Sequence, residues 1–221
     1  SALSTQHAFT LIEISIVLVI IWLLIGGVLV GRDLIKASEI RAQISQIEQF
    51  NTAANTFKVK YGYLPGDIPN PTASAFGFAT RGIKPIGAGA EGTGQGDGNG
   101  LISGYTEDAF SAYEYVIRPG SGESLTFWRD LSNAKLIKGN FSLATPTWTA
   151  FSIPASTINQ YLPTSKVSND SYVYIWSNGR SSAYPNMSYI GVTRGNYFGI
   201  AMVISIFSGS LNSSPKIPVG T

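Results

Sequence analysis

The sequence has no cysteine and a single histidine, His7, among its 221 residues. The absence of cysteine excludes disulfides, thiolate metal sites and cysteine nucleophiles. The chain also lacks the G-x-S-x-G motif of serine hydrolases and the glycine-rich Gly-Lys-Ser/Thr motif of phosphate-binding loops, and its candidate metal ligands do not cluster. The sequence therefore predicts a protein that is not an enzyme and that needs no cofactor.

Charged residues are also scarce, at 13%, and the formal net charge is only +2. Such a small positive excess does not favour a specific nucleic-acid binder. Apolar residues make up 44% of the chain and are concentrated near its N-terminus. This distribution is typical of a membrane segment joined to a globular body, and the length suits one domain plus an extended element.

Residues 14–31 form a run of 18 residues without a charge. At 1.5 Å per residue, a helix of this length crosses most of a hydrocarbon core of about 30 Å. A secretory signal peptide would end in a small-residue cleavage site. Here Arg32, Asp33 and Lys36 follow instead, and the helical periodicity continues, so a membrane-spanning helix is the better interpretation.

Beyond the apolar run, apolar residues recur at steps of three and four, which predicts one stripe of a continuing helix. The stripe comprises Ala37, Ile40, Ile44, Ile47, Phe50, Ala54 and Phe57, and the other faces carry Gln43, Gln46, Glu48 and Gln49. We therefore expect one helix from Phe9 to about Tyr61, with 9–31 as its membrane half and 32–61 as its amphipathic half.

Glu13 is a carboxylate at the start of the apolar run. A charge within a membrane helix costs about 2.5–3.5 kcal/mol on insertion scales and normally has a partner. Two interpretations are open: Glu13 pairs with another group, or it reaches the lipid headgroups from the edge of the span.

The segment Ala8-Phe9-Thr10-Leu11-Ile12-Glu13, followed by the apolar run, resembles the processing and methylation motif of type IV pilins and pseudopilins. The resemblance implies cleavage between Ala8 and Phe9, N-methylation of Phe9 and a role for Glu13 in assembly. Residues 1–8 are then a leader remnant or an N-terminal extension; they end in Ala rather than Gly and contain no Lys or Arg.

The same resemblance implies a subunit held in the bacterial inner membrane and then packed into an extracellular helical filament of identical subunits. Its partners would be the prepilin peptidase and the pilus assembly machinery. Gly26 and Gly27 lie in the middle of the span, where glycine weakens a helix by about 1 kcal/mol each. By the resemblance, we expect them to mark a weak point that melts on assembly; close helix packing is the alternative.

Residues 62–221 are expected to form the globular head. Its glycine-rich loop, 87–100, is expected at the surface, and Asp97 and Asn99 in it are weak metal candidates because the remaining oxygen ligands of a calcium loop are missing. Short helices are predicted at 106–117 and 123–138, with Leu125, Trp128 and Leu136 on the apolar side of the second.

Aromatic and β-branched residues from about 147 to 207 predict a C-terminal antiparallel sheet, with strands at 147–153, 171–177, 187–193 and 196–206 and a turn at 194–196. The predicted fold class is α+β: a long N-terminal helix packed on this sheet, which matches the pilin α/β roll.

Three functional alternatives remain open from the sequence. The chain is a structural pilin, with possible roles in adhesion, motility or uptake, or it is a minor pilin or type II secretion pseudopilin. The third alternative is a membrane-anchored binding protein that never polymerises. Only the first two need Glu13 and a processing site.

Overall fold

A computed structural model describes residues 10–80, 96, 98–102, 122–144, 153–177, 195–203, 205–207 and 210–212. The chain divides into two compact units, Ser1–Ala42 and Gln43–Thr221. The architecture is mixed, with a long N-terminal helix and antiparallel strands in the C-terminal third. The α+β fold class is thus confirmed at this level.

The first helix, α1, runs from Leu11 to Tyr61 and contains 51 residues. The prediction of one continuous helix is therefore confirmed, with its start two residues later than expected. At 1.5 Å per residue its axis measures about 77 Å. It ends at Gly62, which has φ +82° and donates its N–H to the Lys58 carbonyl at 2.8 Å. Glycine favours this left-handed position because it has no Cβ.

The remaining helical elements are short. They are α2 (Thr72–Ala75), α3 (Gly122–Asn133) and a 3-10 helix (Ala155–Gln160). The predicted helix at 123–138 corresponds to α3, which ends five residues earlier than expected. The predicted helix at 106–117 lies outside the described residues.

The described strands form two antiparallel sheets. One has the order β1-β4-β5 and the other pairs β2 with β3. Their bounds are β1 Ile153–Pro154, β2 Ser171–Ser177, β3 Asn196–Met202, β4 Ser205–Phe207 and β5 Ser210–Asn212. β2 confirms the strand predicted at 171–177. The strand predicted at 196–206 is wrong as a single element, because its first part pairs with β2 and its second part pairs with β1.

The other predicted strands are largely untested. Residues 147–152 and 187–194 lie outside the described part of the chain. Of the expected turn at 194–196, Gly195 is a bend and Asn196 is the first residue of β3. The single predicted sheet over about 147–207 is replaced by two sheets among the described strands. Periodicity alone could not separate them, since both halves of 196–206 have the same β-type composition.

The core of the second unit is centred on Trp128 of α3, whose side chain is fully buried. Its ring lies 4.9 Å from Phe50 of α1, 5.0 Å from Phe127, 6.0 Å from Phe198 of β3 and 6.5 Å from Phe141, measured between centroids. Aromatic pairs in these geometries contribute beyond simple burial. The long helix, α3 and the β2–β3 sheet therefore share one aromatic core, as predicted for Trp128.

Gly199 of β3 lies directly opposite Tyr174 of β2. A Cβ on Gly199 would overlap the Tyr174 ring, so only glycine leaves room for that ring against the strand. Burial raises the pKa of the Tyr174 hydroxyl above its ordinary value. Folding therefore favours the neutral, protonated form of the Tyr174 side chain.

Lys135 follows α3 and has φ +59°, a left-handed conformation that is unfavourable for residues with a Cβ. The Leu136 N–H bonds the Leu131 carbonyl and the Lys135 N–H bonds the Ser132 carbonyl, both at 3.0 Å. This pattern is a Schellman motif, in which glycine normally occupies the position of Lys135.

Lys135→Gly is therefore expected to raise the free energy of unfolding by about 0.5–1 kcal/mol, because it relieves the backbone strain. Urea unfolding of the full chain in detergent would measure the change. Lys138→Gly is the matched control, since Lys138 does not have a positive φ. It should destabilise the head by a similar amount, and stabilisation by both variants would contradict the prediction.

Candidate functional site

The candidate site begins at the N-terminus of α1, where Thr10 and Glu13 hydrogen-bond to each other. The backbone N–H and the hydroxyl of Thr10 both donate to Oε2 of Glu13, at 2.7 and 2.8 Å. In return, the Glu13 N–H donates to the Thr10 hydroxyl at 3.4 Å. This reciprocal arrangement is a capping box, which satisfies N–H groups that have no partner inside the helix.

Thr10 was overlooked in the sequence interpretation, although Thr10-Leu11-Ile12-Glu13 has the S/T-x-x-E spacing of a capping box. The structure gives Glu13 a partner within its own chain, three residues away. Its carboxylate also lies in the first turn of α1, where the helix dipole favours negative charge. Capping of its own helix is thus a third interpretation of Glu13, beside pairing with another group and escape to the lipid headgroups.

The first half of α1 is exposed throughout. Every residue from 11 to 30 is exposed, and the large side chains include Trp22 at 71% and Leu23 at 70%. By length and composition, α1 can cross a membrane. Leaving an apolar side chain of this size in water rather than burying it costs about 1.5–3 kcal/mol. This surface therefore needs lipid or another protein to cover it.

Gly26 and Gly27 lie in regular helix within this exposed stretch, and α1 continues through them without a break. A Cβ built at either position meets no atom within 4 Å. Both positions consequently offer room for close approach of another helix. The expectation that they melt on assembly stays a prediction.

The second half of α1 departs from the predicted stripe. Phe50, Ala54 and Phe57 are buried as predicted, but Ile40 and Ile44 are about half exposed, whereas Gln43 is only 6% exposed. The placement of Gln43 on an outer face was therefore wrong. The reason is a hydrogen bond that periodicity does not reveal: Gln43 Oε1 accepts from the Lys166 N–H at 2.6 Å.

Gln46 makes a second bond to the same loop, because its Nε2 donates to the Thr164 carbonyl at 2.9 Å. Gln43 and Gln46 lie one turn apart and together hold residues 164–166 against α1. We call this pair the glutamine clasp. It lies at the start of the second unit, whose first residue is Gln43.

Gln43→Ala is expected to lower the free energy of unfolding of the head by about 1 kcal/mol, because the partly buried Lys166 N–H loses its acceptor. Gln49→Ala is the matched control: Gln49 is exposed, and its amide donates only a long bond of 3.4 Å, to Ser45. That change should stay within about 0.5 kcal/mol. Urea unfolding measures both, and hydrogen exchange at the Lys166 amide should accelerate only in Gln43→Ala; equal effects would contradict the prediction.

The predicted processing residues, Ala8 and Phe9, lie outside the described residues, as does the metal candidate Asp97. Asn99 is described, and its Oδ1 accepts the Leu101 N–H at 2.7 Å. Within the described parts of the chain, no three His, Cys, Asp or Glu side chains come together as metal ligands. The structure thus gives the weak metal candidates no further support.

Asp67 is a second polar residue that the sequence interpretation missed. It is 1% exposed, and its two oxygens accept the N–H groups of Gly98 and Gly100 at 2.8 and 2.9 Å. A Cβ on Gly96 would overlap the backbone of Ile68. The end of the glycine-rich loop, residues 98–100, is exposed as expected. It is also bound to the head through its backbone.

Comparison of the chain with family models, with curated proteins and with solved structures gave no match.

Proposed function

We propose that this protein is a structural subunit of a type IV pilus or a related filament. It is anchored in the bacterial inner membrane before assembly and polymerises through its N-terminal helix. One observation carries the proposal: every residue of an apolar helical segment, 11–30, is exposed, and a carboxylate, Glu13, lies in its first turn. Lipid covers this surface before assembly, and the helices of neighbouring subunits cover it afterwards.

The Thr10–Glu13 capping box suits both proposed environments, the lipid before assembly and the filament core afterwards. In lipid, N–H groups without partners at a helix end cost several kcal/mol each, so a capped end is favoured. A carboxylate offers about four acceptor positions. Glu13 can therefore keep its bonds to Thr10 and also bind an ammonium from a neighbouring subunit.

Cleavage between Ala8 and Phe9, as the motif implies, would supply that ammonium. The new amino group would lie on Phe9, next to Thr10 in sequence. In an apolar filament core an unpaired charge is costly, so the pairing of Glu13 with a neighbour's amino group would select the correct register of subunits. By the same resemblance, the prepilin peptidase, an inner-membrane platform and a cytoplasmic ATPase would be the assembly partners.

A second candidate is a membrane-anchored binding protein that does not polymerise. The specific observation in its favour is the capping box itself, because Thr10 already supplies hydrogen bonds to Glu13 within one chain, without a second subunit. On this reading the apolar segment stays in lipid permanently. Minor pilins and pseudopilins remain variants of the first candidate, since they share its processing and its helix.

The first experiment is intact mass measurement with N-terminal sequencing of protein purified from the membrane and sheared-surface fractions of the native cells. The filament proposal predicts an N-methylated chain that starts at Phe9 and sediments as long polymers in the sheared fraction. A chain that retains Ala8 and stays entirely in the membrane fraction would support the non-polymerising anchor and overturn the proposal.

A further inference from the structure

The segment that Asp67 binds is also bound by Asn196, the first residue of β3. Oδ1 of Asn196 accepts the Ile102 N–H at 2.7 Å, and its Nδ2 donates to the Gly100 carbonyl at 2.9 Å. Residues 98–102 are thus held by two side chains, a carboxylate and an amide. We call this arrangement the loop clip.

Asn99 and Gly100, inside the clip, form an asparagine–glycine step. Asparagine before glycine is the dipeptide in which spontaneous deamidation is easiest, because no side chain on the second residue hinders attack by its nitrogen. Asn99 is exposed, and a Cβ built on Gly100 meets no atom within 4 Å. Water and base can therefore reach the Asn99–Gly100 dipeptide, and no neighbouring side chain that the structure describes shields it sterically.

The reaction requires the Gly100 nitrogen to lose its proton to a solvent base and attack Cγ of Asn99. A new N–C bond closes a succinimide ring while the side-chain nitrogen leaves as ammonia. Water then opens the ring to aspartate or isoaspartate. The net change exchanges ammonia for water, and neither oxidant nor reductant is needed.

We propose that Asn99 is a deamidation site that Asp67 holds in check. The Gly100 N–H, which must be deprotonated, donates to Oδ2 of Asp67 at 2.9 Å. An anionic nitrogen beside a buried carboxylate is strongly disfavoured. In addition, the Leu101 N–H bonds Oδ1 of Asn99 at 2.7 Å and fixes the side chain in the turn.

Deamidation also weakens the hydrogen bonds to Asp67 that slow the reaction. Aspartate at position 99 places a second negative charge next to the Gly98 and Gly100 amides that bind Asp67. Isoaspartate also lengthens the backbone by one carbon, which moves the Gly100 N–H away from its acceptor. The clip then opens irreversibly. The deamidated fraction at Asn99 therefore increases with the age of the protein and with the time that the head has spent unfolded.

The test follows Asn99 by peptide mass spectrometry, as a gain of about 1 Da, in the full chain held in detergent at pH 8. The same chain in guanidinium gives the unprotected rate, with Asn178-Gly179 as an internal standard for the unfolded dipeptide. Folded wild-type protein should react at least about tenfold more slowly than unfolded protein. A hydrogen bond to a charged group is worth at least this factor.

Two variants assign the protection to the carboxylate. Asp67→Ala, shown to be folded by near-ultraviolet circular dichroism, should deamidate at least about tenfold faster than wild type. Asn196→Ala loosens the same segment but keeps the acceptor of the Gly100 N–H, so its rate should stay within about twofold. If Asp67→Ala does not fold, Asp67→Asn replaces it. Equal rates for folded and unfolded wild type, an unchanged rate in the folded Asp67 variant, or equal acceleration in Asn196→Ala would overturn the proposal.

Discussion

Glu13→Gln is expected to abolish filament formation while leaving the protein in the membrane. Glutamine at this position can still accept the Thr10 hydrogen bonds, because a capping box works with either Glu or Gln. The substitution therefore removes the charge and keeps the helix cap. Under the proposed function, the ammonium of a neighbouring Phe9 would be left unpaired in an apolar core, at a cost of about 3–5 kcal/mol. The yield of sheared filaments should fall at least about 100-fold.

Thr10→Ala is the complementary change, since it removes the hydroxyl partner and keeps the carboxylate. It should lower helix stability by about 1 kcal/mol and leave filaments at a reduced but measurable level. Electron microscopy and quantification of the sheared fraction measure both variants. Normal filaments from Glu13→Gln, or an equal loss in the two variants, would show that Glu13 acts only as a helix cap.

Trp128→Ala has the largest expected effect on stability. The side chain is fully buried among four aromatic rings, so its removal should cost about 3–5 kcal/mol and leave a large cavity. Because domains are stable by only about 5–15 kcal/mol, the head should become largely unfolded or protease-sensitive at 37 °C. Limited proteolysis and circular dichroism of the full chain in detergent would detect this.

Trp128→Phe is its control. The indole Nε1 is buried and has no hydrogen-bond partner among the described residues, so the smaller ring loses volume but also removes an unsatisfied donor. The expected loss is therefore about 1–2 kcal/mol, clearly smaller than for alanine. Because neither substitution touches the apolar first half of α1, both variants should behave like the wild type in membrane fractionation. Similar stability of Trp128→Ala and wild type would show that the aromatic core is not the centre of the head.

The parts that could be predicted from sequence are those with a strong local signal. A long apolar run followed by regular helical spacing was enough to place α1 to within two residues at its start. The aromatic face of α3 likewise predicted the burial of Trp128 and Leu125, since few environments other than a core accommodate such side chains.

The parts that could not be predicted depend on contacts between distant segments. Gln43 is buried because its acceptor reaches an N–H 123 residues later in the chain. Asp67 is buried because two glycine N–H groups, about thirty residues away, approach it. Periodicity places Gln43 on the surface and gives no indication for Asp67, because the polarity of both residues is satisfied only after the chain has folded. Thr10 differs from these two, since its spacing to Glu13 was visible but was not recognised.

The second half of α1 has a practical consequence for any attempt to prepare the head as a water-soluble fragment. Phe50, Ala53, Ala54 and Phe57 form one wall of the aromatic core, so the helix cannot be removed as a whole. A fragment that starts near Glu39 would discard the apolar segment and keep both this wall and the glutamine clasp. A fragment that starts after Tyr61 would expose the rings of Trp128 and Phe198 to water and should precipitate. The polypeptide thus has a narrow interval, between the last residues of the exposed apolar segment and Gln43, where that segment and the head can be separated without damage to either.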